Sequence, residues 1–250
     1  MTFRYNPQSF EKQVRKWPVL FSETNLRKDI VERLEQLLGI SSKGWCDPFS
    51  VELPFDQDII YEYGIDACRL ATINSNFKND SESFLEPAFK WIAKFYDTYS
   101  KKGKTSFTPI PWLEALIQMQ DHIIARKSER LALALVMKAF KISPPNIDIS
   151  ESEKILVLGC ITPFMPILSA YFSNNIEKKS INEIITSFKE YTCVKIALEK
   201  GGWHWHVFQR TIFESNPLSE LSKIKWIKKA TINKKTILKK EDGGIKICFS

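Results

Sequence analysis

A chain of 250 residues with 44% hydrophobic and 26% charged residues can bury one large core, which excludes global disorder. Its formal charge of +7 is local: eight lysines and no acid lie between Lys223 and Lys240, leaving about −1 for the rest of the chain. The five cysteines, Cys46, Cys68, Cys160, Cys193 and Cys248, lack CxxC or other metal-ligand spacing, which favours buried free thiols in a reducing compartment over redox or metal roles.

In the first twenty residues Arg4, Lys12, Arg15 and Lys16 face only Glu11, a bias that permits an organellar transit peptide, although Pro7, Pro18 and the few serines make a poor one. Residues 23–38, ETNLRKDIVERLEQLL, align Leu26, Ile30, Leu34, Leu37 and Leu38 on one helical face that Gly39 ends. After the loop SSKGWCDPFSVELPFD, Ile59, Ile60 and Tyr63 close an amphipathic turn, Gly64 permits a left-handed exit, and Asp66 is placed to cap the helix carrying Arg69 and Leu70.

A helix starting near Glu86-Pro87 is expected to bury Phe89, Ile92, Phe95, Tyr96 and Tyr99. From Trp112 to Ile142 a long helical pattern repeats Leu113, Leu116, Met119, Ile123 and Ile124, then Leu131, Leu135 and Phe140, with a re-start at Ser128. Ser150 and Glu153 have capping-box spacing and open the next helix.

No residue from Ile155 to Ile176 is charged, long enough to cross a bilayer. Gly159, Pro163, Pro166, Ser169, Ser173, Asn174 and Asn175 instead indicate a kinked core helix and no membrane span. A further helix is expected over Asn182 to Glu199, stopped by Gly201-Gly202. The last fifty residues are rich in β-branched side chains, and Asn233 and Asp242-Gly243-Gly244 divide them into three short runs. The expected fold is mostly α: a helical bundle followed by a small antiparallel β appendix.

His204 and His206 in GGWHWH could share a strand face, but no third ligand lies at fixed spacing, so no metal site is assigned; Trp203 and Trp205 read as anchors against the bundle. The lysine-rich tail is the candidate nucleic-acid surface. Lys223, Lys225, Lys228, Lys229, Lys234, Lys235, Lys239 and Lys240 could neutralise phosphates, with a base or ribose stacking on Trp226. The same lysines could instead be solvated on an exposed edge, deterring strand pairing. Arg126, Lys127 and Arg130 form a second basic group, for which an ordinary polar surface is the simpler reading.

Tyr63-Gly64-Ile65-Asp66 with Arg69-Leu70 resembles the YGxDxxRL element at the exit of the catalytic core in class I aminoacyl-tRNA synthetases, most closely the leucyl enzyme of mitochondrial type within class Ia. Pro163-Phe164-Met165-Pro166 resembles the Pro-x-x-Pro that kinks a helix of that family's anticodon-binding bundle. Ala230-Thr231-Ile232-Asn233-Lys234-Lys235 resembles its strand-turn-strand VxxNGK. The resemblance spans about residues 39–240. It implies an N-terminal helix with a remnant of the core exit loop over 1–50, a helical bundle of anticodon-binding type over 51–200, and a lysine-rich β meander over 201–250. Tyr63, Gly64, Asp66, Arg69, Pro163 and Pro166 would be structural, with Arg69 a buried or interface ion-pair partner.

The departures from the family matter more. His122, His204 and His206 are the only histidines, and none stands in a HIGH signature. The KMSKS loop would fall near Leu38 to Gly44, where Leu38 and Ser41 occupy its lysine positions and only Ser42-Lys43-Gly44 echoes it. Amino-acid activation needs positioned charge around a triphosphate, so neither catalytic residues nor a cofactor are assigned. The implied function is that of a non-catalytic, leucyl-tRNA synthetase-like protein binding tRNA, ribosomal RNA or another structured RNA, mitochondrial or otherwise cytoplasmic. The alternatives are a structural subunit of a ribosome or synthetase complex, docking a protein near residues 17–50 through Trp17, Phe21, Trp45 and Phe49, or the tRNA-binding half of a split or truncated leucine-tRNA ligase.

Overall fold

The computed structural model describes residues 26–39, 55–74, 82–100, 107–126, 129–143, 149–172, 181–197, 203–224, 237–241 and 244–248. Helix α1 (Leu26–Leu38) buries Ile30, Val31, Leu34, Leu37 and Leu38, and ends at Gly39 with φ of 65°. One residue, Gly64, separates α2 (Gln57–Tyr63) from α3 (Ile65–Asn74). Its φ of 82° and ψ of 155° lie where a β-carbon would be strained, so the break is written into the glycine. Helix α3 is buried on every side from Ile65 through Ala71, which makes it the central rod of the bundle.

A 3-10 turn (Glu82–Phe84) leads into α4 (Leu85–Ser100), with Pro87 inside the first turn, where no N–H is required of it. Leu85, Ala88, Ile92, Phe95, Tyr96 and Tyr99 are buried, whereas Phe89 is half-buried and meets Tyr63 edge-on at 6.0 Å. Phe95 stacks on Tyr99 at 4.6 Å and on Phe140 at 4.8 Å, and Trp112 approaches it edge-on at 6.4 Å. Trp112 is fully buried, and its indole N–H donates to Ser143 O at 3.0 Å, satisfying the one polar atom of its side chain.

The long helical pattern is described as α5 (Ile110–Arg126) and α6 (Glu129–Ile142), and the expected re-start at Ser128 lies between them, outside the described residues. On α6 the buried apolar residues are Ala132, Leu133, Val136, Ala139 and Phe140, and Glu129 in the first turn is buried as well. Leu131 and Leu135, expected inside, are only half-buried. The alanines decide this: small side chains let α6 approach its neighbours closely, and a pattern weighted by large residues overlooks them.

Helix α7 (Glu151–Ile161) opens on the expected capping box, in which Ser150 Oγ accepts from Glu153 N–H at 3.3 Å and Glu153 Oε2 accepts from Ser150 N–H at 2.7 Å. The chain turns at Thr162–Met165 and resumes as α8 (Pro166–Phe172). The uncharged stretch is thus broken at the proline pair and largely buried from Leu156 to Ala170. Among the described residues no helix is long and apolar enough to cross a membrane.

The helix expected over 182–199 is corrected. Helix α9 (Ile181–Thr186) is short, and the chain continues as strand β1 (Tyr191–Ala197). Val194 and Ile196 alternate with Cys193, and burial of both sets favours extended backbone over helix. β1 pairs antiparallel with β2 (Trp203–Gln209), running from Tyr191 opposite Gln209 to Ala197 opposite Trp203. Helices α10 (Arg210–Ser215) and α11 (Pro217–Ser222) follow, unforeseen in the sequence although Asn216-Pro217 is a start signal: Asn216 Oδ1 accepts from Ser219 N–H at 3.2 Å.

Strands β3 (Ile237–Glu241) and β4 (Gly244–Cys248) are antiparallel to each other, and β4 lies parallel to β1, giving the order β2-β1-β4-β3. The appendix is therefore a mixed sheet beginning at residue 191, and the division at 200/201 falls inside the β1–β2 hairpin. A parallel pair needs a long crossover, which β2, α10 and α11 supply part of. Cys193 and Val207 join the main core of the bundle. Val194 and Ile196 form a second, small cluster with Phe213 and Leu221.

Candidate nucleic-acid interface

The two motifs that carry the resemblance meet in space, and they meet as architecture. Asp66 is 1% exposed, and its carboxylate does not cap its own helix: it accepts from Ile167 N–H at 3.3 Å and Leu168 N–H at 2.8 Å, at the start of α8. Pro166, first in that helix, has no N–H to satisfy. Arg69, 2% exposed, donates to Pro163 O at 2.7 Å, to Phe164 O at 3.2 Å and to Asp29, which also accepts from Arg33 at 2.8 Å. Arg69 is thus a buried ion-pair partner. Burial pushes the Asp66 carboxyl up to about 6 against the pull of Leu168 N–H and Arg69. Burial also raises Asp29, but Arg69 and Arg33 outweigh it and hold that carboxyl below its ordinary value.

Of the basic residues singled out in the sequence, Lys223 is exposed at the end of α11, where it pairs with Glu220. Lys225, Trp226, Lys228, Lys229, Lys234 and Lys235 lie outside the described residues, as do Lys127, the Ala230–Lys235 element and residues 17–25 and 40–50 of the expected docking region. Arg126 ends α5, and Arg130 is exposed on the first turn of α6. Lys239 and Lys240 are on β3, the edge strand of the sheet.

The register adds residues the sequence reading missed. Trp205 is opposite Lys195, Lys195 is opposite Lys246, and Lys246 is opposite Lys239, so one transverse row of the sheet carries a tryptophan followed by three lysines. Lys195 Nζ stands 5.3 Å from the centroid of the Trp205 ring, in cation–π range. A lysine at the centre of a β-branched run, as in YTCVKIA and GIKIC, is the local signal for this row. Only non-local pairing aligns the runs.

Beside this row lies a cleft of about 390 Å³ between α5, α9 and the first two strands. Leu113 and Ile117 of α5 and Ile185 of α9 give it apolar walls, and Phe188, Tyr191 and Trp205 supply aromatic rings. Gln120 and Asn182 contribute amides, and Lys189 and Arg210 contribute cations. Cys193 also lines it, and burial pushes that thiol up to about 12, which favours the neutral form. Arg210 Nη2 donates to Tyr191 O at 3.3 Å, whereas its buried Nε–H has no acceptor among the described residues.

The histidines fasten the outer strand to the bundle. Their rings stack at 4.9 Å, and His206 Nδ1 lies 3.2 Å from Glu114 Oε1, which also accepts from Val207 N–H at 3.1 Å. Gln118 Nε2 donates to Trp205 O at 3.0 Å, and burial holds His204 below its ordinary value. Trp205 packs against the main core, in the anchoring position expected of it. Among the described residues no group of three or more His, Cys, Asp or Glu side chains could hold a metal ion. No protein-family model matches the chain, and no curated protein matches it.

Proposed function

We propose that this protein binds structured RNA, a tRNA or a ribosomal RNA, without catalysing a reaction on it, through the lysine-rich C-terminal region and the adjoining helical bundle. The observation that carries this reading is charge segregation: eight lysines without an acid between Lys223 and Lys240, on a chain otherwise close to neutral. Such a run repels itself and gains by neutralising phosphates and releasing their counterions. Lys239 and Lys240 on the edge strand, with Lys246 and Lys195 in register with Lys239, support it. The leucyl-tRNA synthetase-like motifs support a tRNA-shaped ligand. Their contacts around Arg69 are those of a bundle built to be rigid, and the resemblance contributes architecture instead of chemistry.

The test is the salt dependence of affinity for a labelled tRNA. The intact chain should bind in the range of roughly 10⁻⁴ to 10⁻⁶ M at physiological salt if its contacts are non-specific, and tighter if shape is recognised. Replacing Lys228, Lys229, Lys234 and Lys235 with glutamate should leave the helical circular-dichroism signal intact. It should also weaken binding and flatten the plot of log affinity against log salt by about one unit per lost phosphate contact. An unchanged affinity and slope would leave the lysines as edge-strand protection alone.

A further inference from the structure

We propose that the cleft beneath Trp205 takes a single unpaired nucleotide, its base between the aromatic walls and its phosphate on Arg210 and Lys189. The proposal rests on the RNA-binding reading and gives it a site and a ligand class. The volume of about 390 Å³ falls within the roughly 300–1,000 Å³ of small-ligand sites, room for one base and its sugar but not for a duplex. The half-buried Tyr191 and Trp205 offer aromatic surface to a base, and the amides of Gln120 and Asn182 can both donate to and accept from a base edge.

The cations set the sign of the ligand. The guanidinium of Arg210 is held by Tyr191 O through one nitrogen, while its buried Nε–H has no acceptor among the described residues. Arg210 and the exposed Lys189 both line the cleft, so an anionic oxygen there would meet two positive charges. What points to a polymer and not an isolated amphipathic anion is the continuation outside. From Trp205 in the wall, the transverse row leads through Lys195 and Lys246 to Lys239, and its three lysine positions span two strand spacings, about 10 Å. A strand entering the cleft with one base would lay its following phosphates along this row. Duplex RNA keeps its bases stacked and paired, so the site would select single-stranded segments.

The experiment measures fluorescence anisotropy of the full chain with a labelled single-stranded RNA decamer and with an RNA duplex of the same length. It compares the parent with Arg210→Met and Lys189→Glu, and circular dichroism confirms the fold of each variant. Both variants should weaken the single strand roughly five- to tenfold and change the duplex by less than about twofold. In parallel, a decamer carrying one 4-thiouridine should crosslink the parent within Ile185–Tyr191 or Trp205–Arg210, a readout that needs no variant to fold. Equal weakening of both RNAs, or crosslinks confined elsewhere, would overturn the cleft site while leaving RNA binding in place. A parent chain that binds neither RNA would overturn the RNA-binding reading itself.

Discussion

Arg69 and Arg210 show two uses of the same side chain. Arg69 is buried in the bundle with its donors committed to Pro163 O, Phe164 O and Asp29. Arg210, half-buried beside the sheet, gives one nitrogen to Tyr191 O and keeps a buried Nε–H without an acceptor among the described residues. A guanidinium whose donors are taken up inside the protein holds helices together. One that lines a cleft beside a second cation, Lys189, is suited to an incoming anion. The difference separates the architecture of this chain from its proposed binding surface more sharply than the motifs do, because the motif residues Asp66 and Arg69 fall on the saturated side.

The comparison can be broken first at Arg69. Replacing it with alanine leaves Asp29 paired with Arg33 alone and takes the Arg69 donors from two buried carbonyls, so stability should fall by about 3–5 kcal/mol in urea denaturation. Arg210→Met should change stability by no more than about 1 kcal/mol. Equal losses in the two variants would erase the distinction.

The acid range sharpens it next. Asp66 has a folded value of about 6 against an ordinary value of 3.8, so between those pH values the folded state binds more protons than the unfolded one. This group's contribution is therefore full below about pH 3.8 and is lost as pH rises through 6. Asp29 is shifted the other way: its contribution is present above pH 3.8 and lost as pH falls through its depressed folded value. Asp66→Asn should thus make stability rise more steeply between pH 4 and 6 than in the parent, by up to about 3 kcal/mol over the window. Parallel pH profiles for parent and variant would show that Asp66 does not titrate there. The smallest effect is expected where the contact is local and exposed: Ser150→Ala removes one cap of α7 and should cost about 1 kcal/mol, measurable as a shift in the urea midpoint without a change in slope.

Features written within a few residues were legible in the sequence. Gly39 and Gly64 both adopt positive φ, Ser150 and Glu153 form the capping box, and Pro163 and Pro166 flank the break between α7 and α8. What escaped depends on partners far along the chain. Asp66 caps a helix a hundred residues away, because the buried first turns of α3 lie against its N-terminus. Tyr191–Ala197 is a strand because β2 and β4 flank it, and its own short alternation did not outweigh the helical reading of the preceding residues. The cleft was beyond reach for the same reason: Leu113, Asn182, Trp205 and Arg210 become neighbours only once the sheet is docked on α5 and α9. Of the proposed binding surface, the sequence showed the lysines of the tail but not Lys195 and Lys246, which gain meaning from register.

The most direct measurement of the central claim is crosslinking of the tagged full chain in cells, followed by purification and sequencing of the attached RNA. The account predicts enrichment of tRNA or ribosomal RNA over an untagged control, with crosslinked peptides from residues 223–240 and the cleft. Recovery of no RNA above that control, with the protein intact and folded, would contradict it.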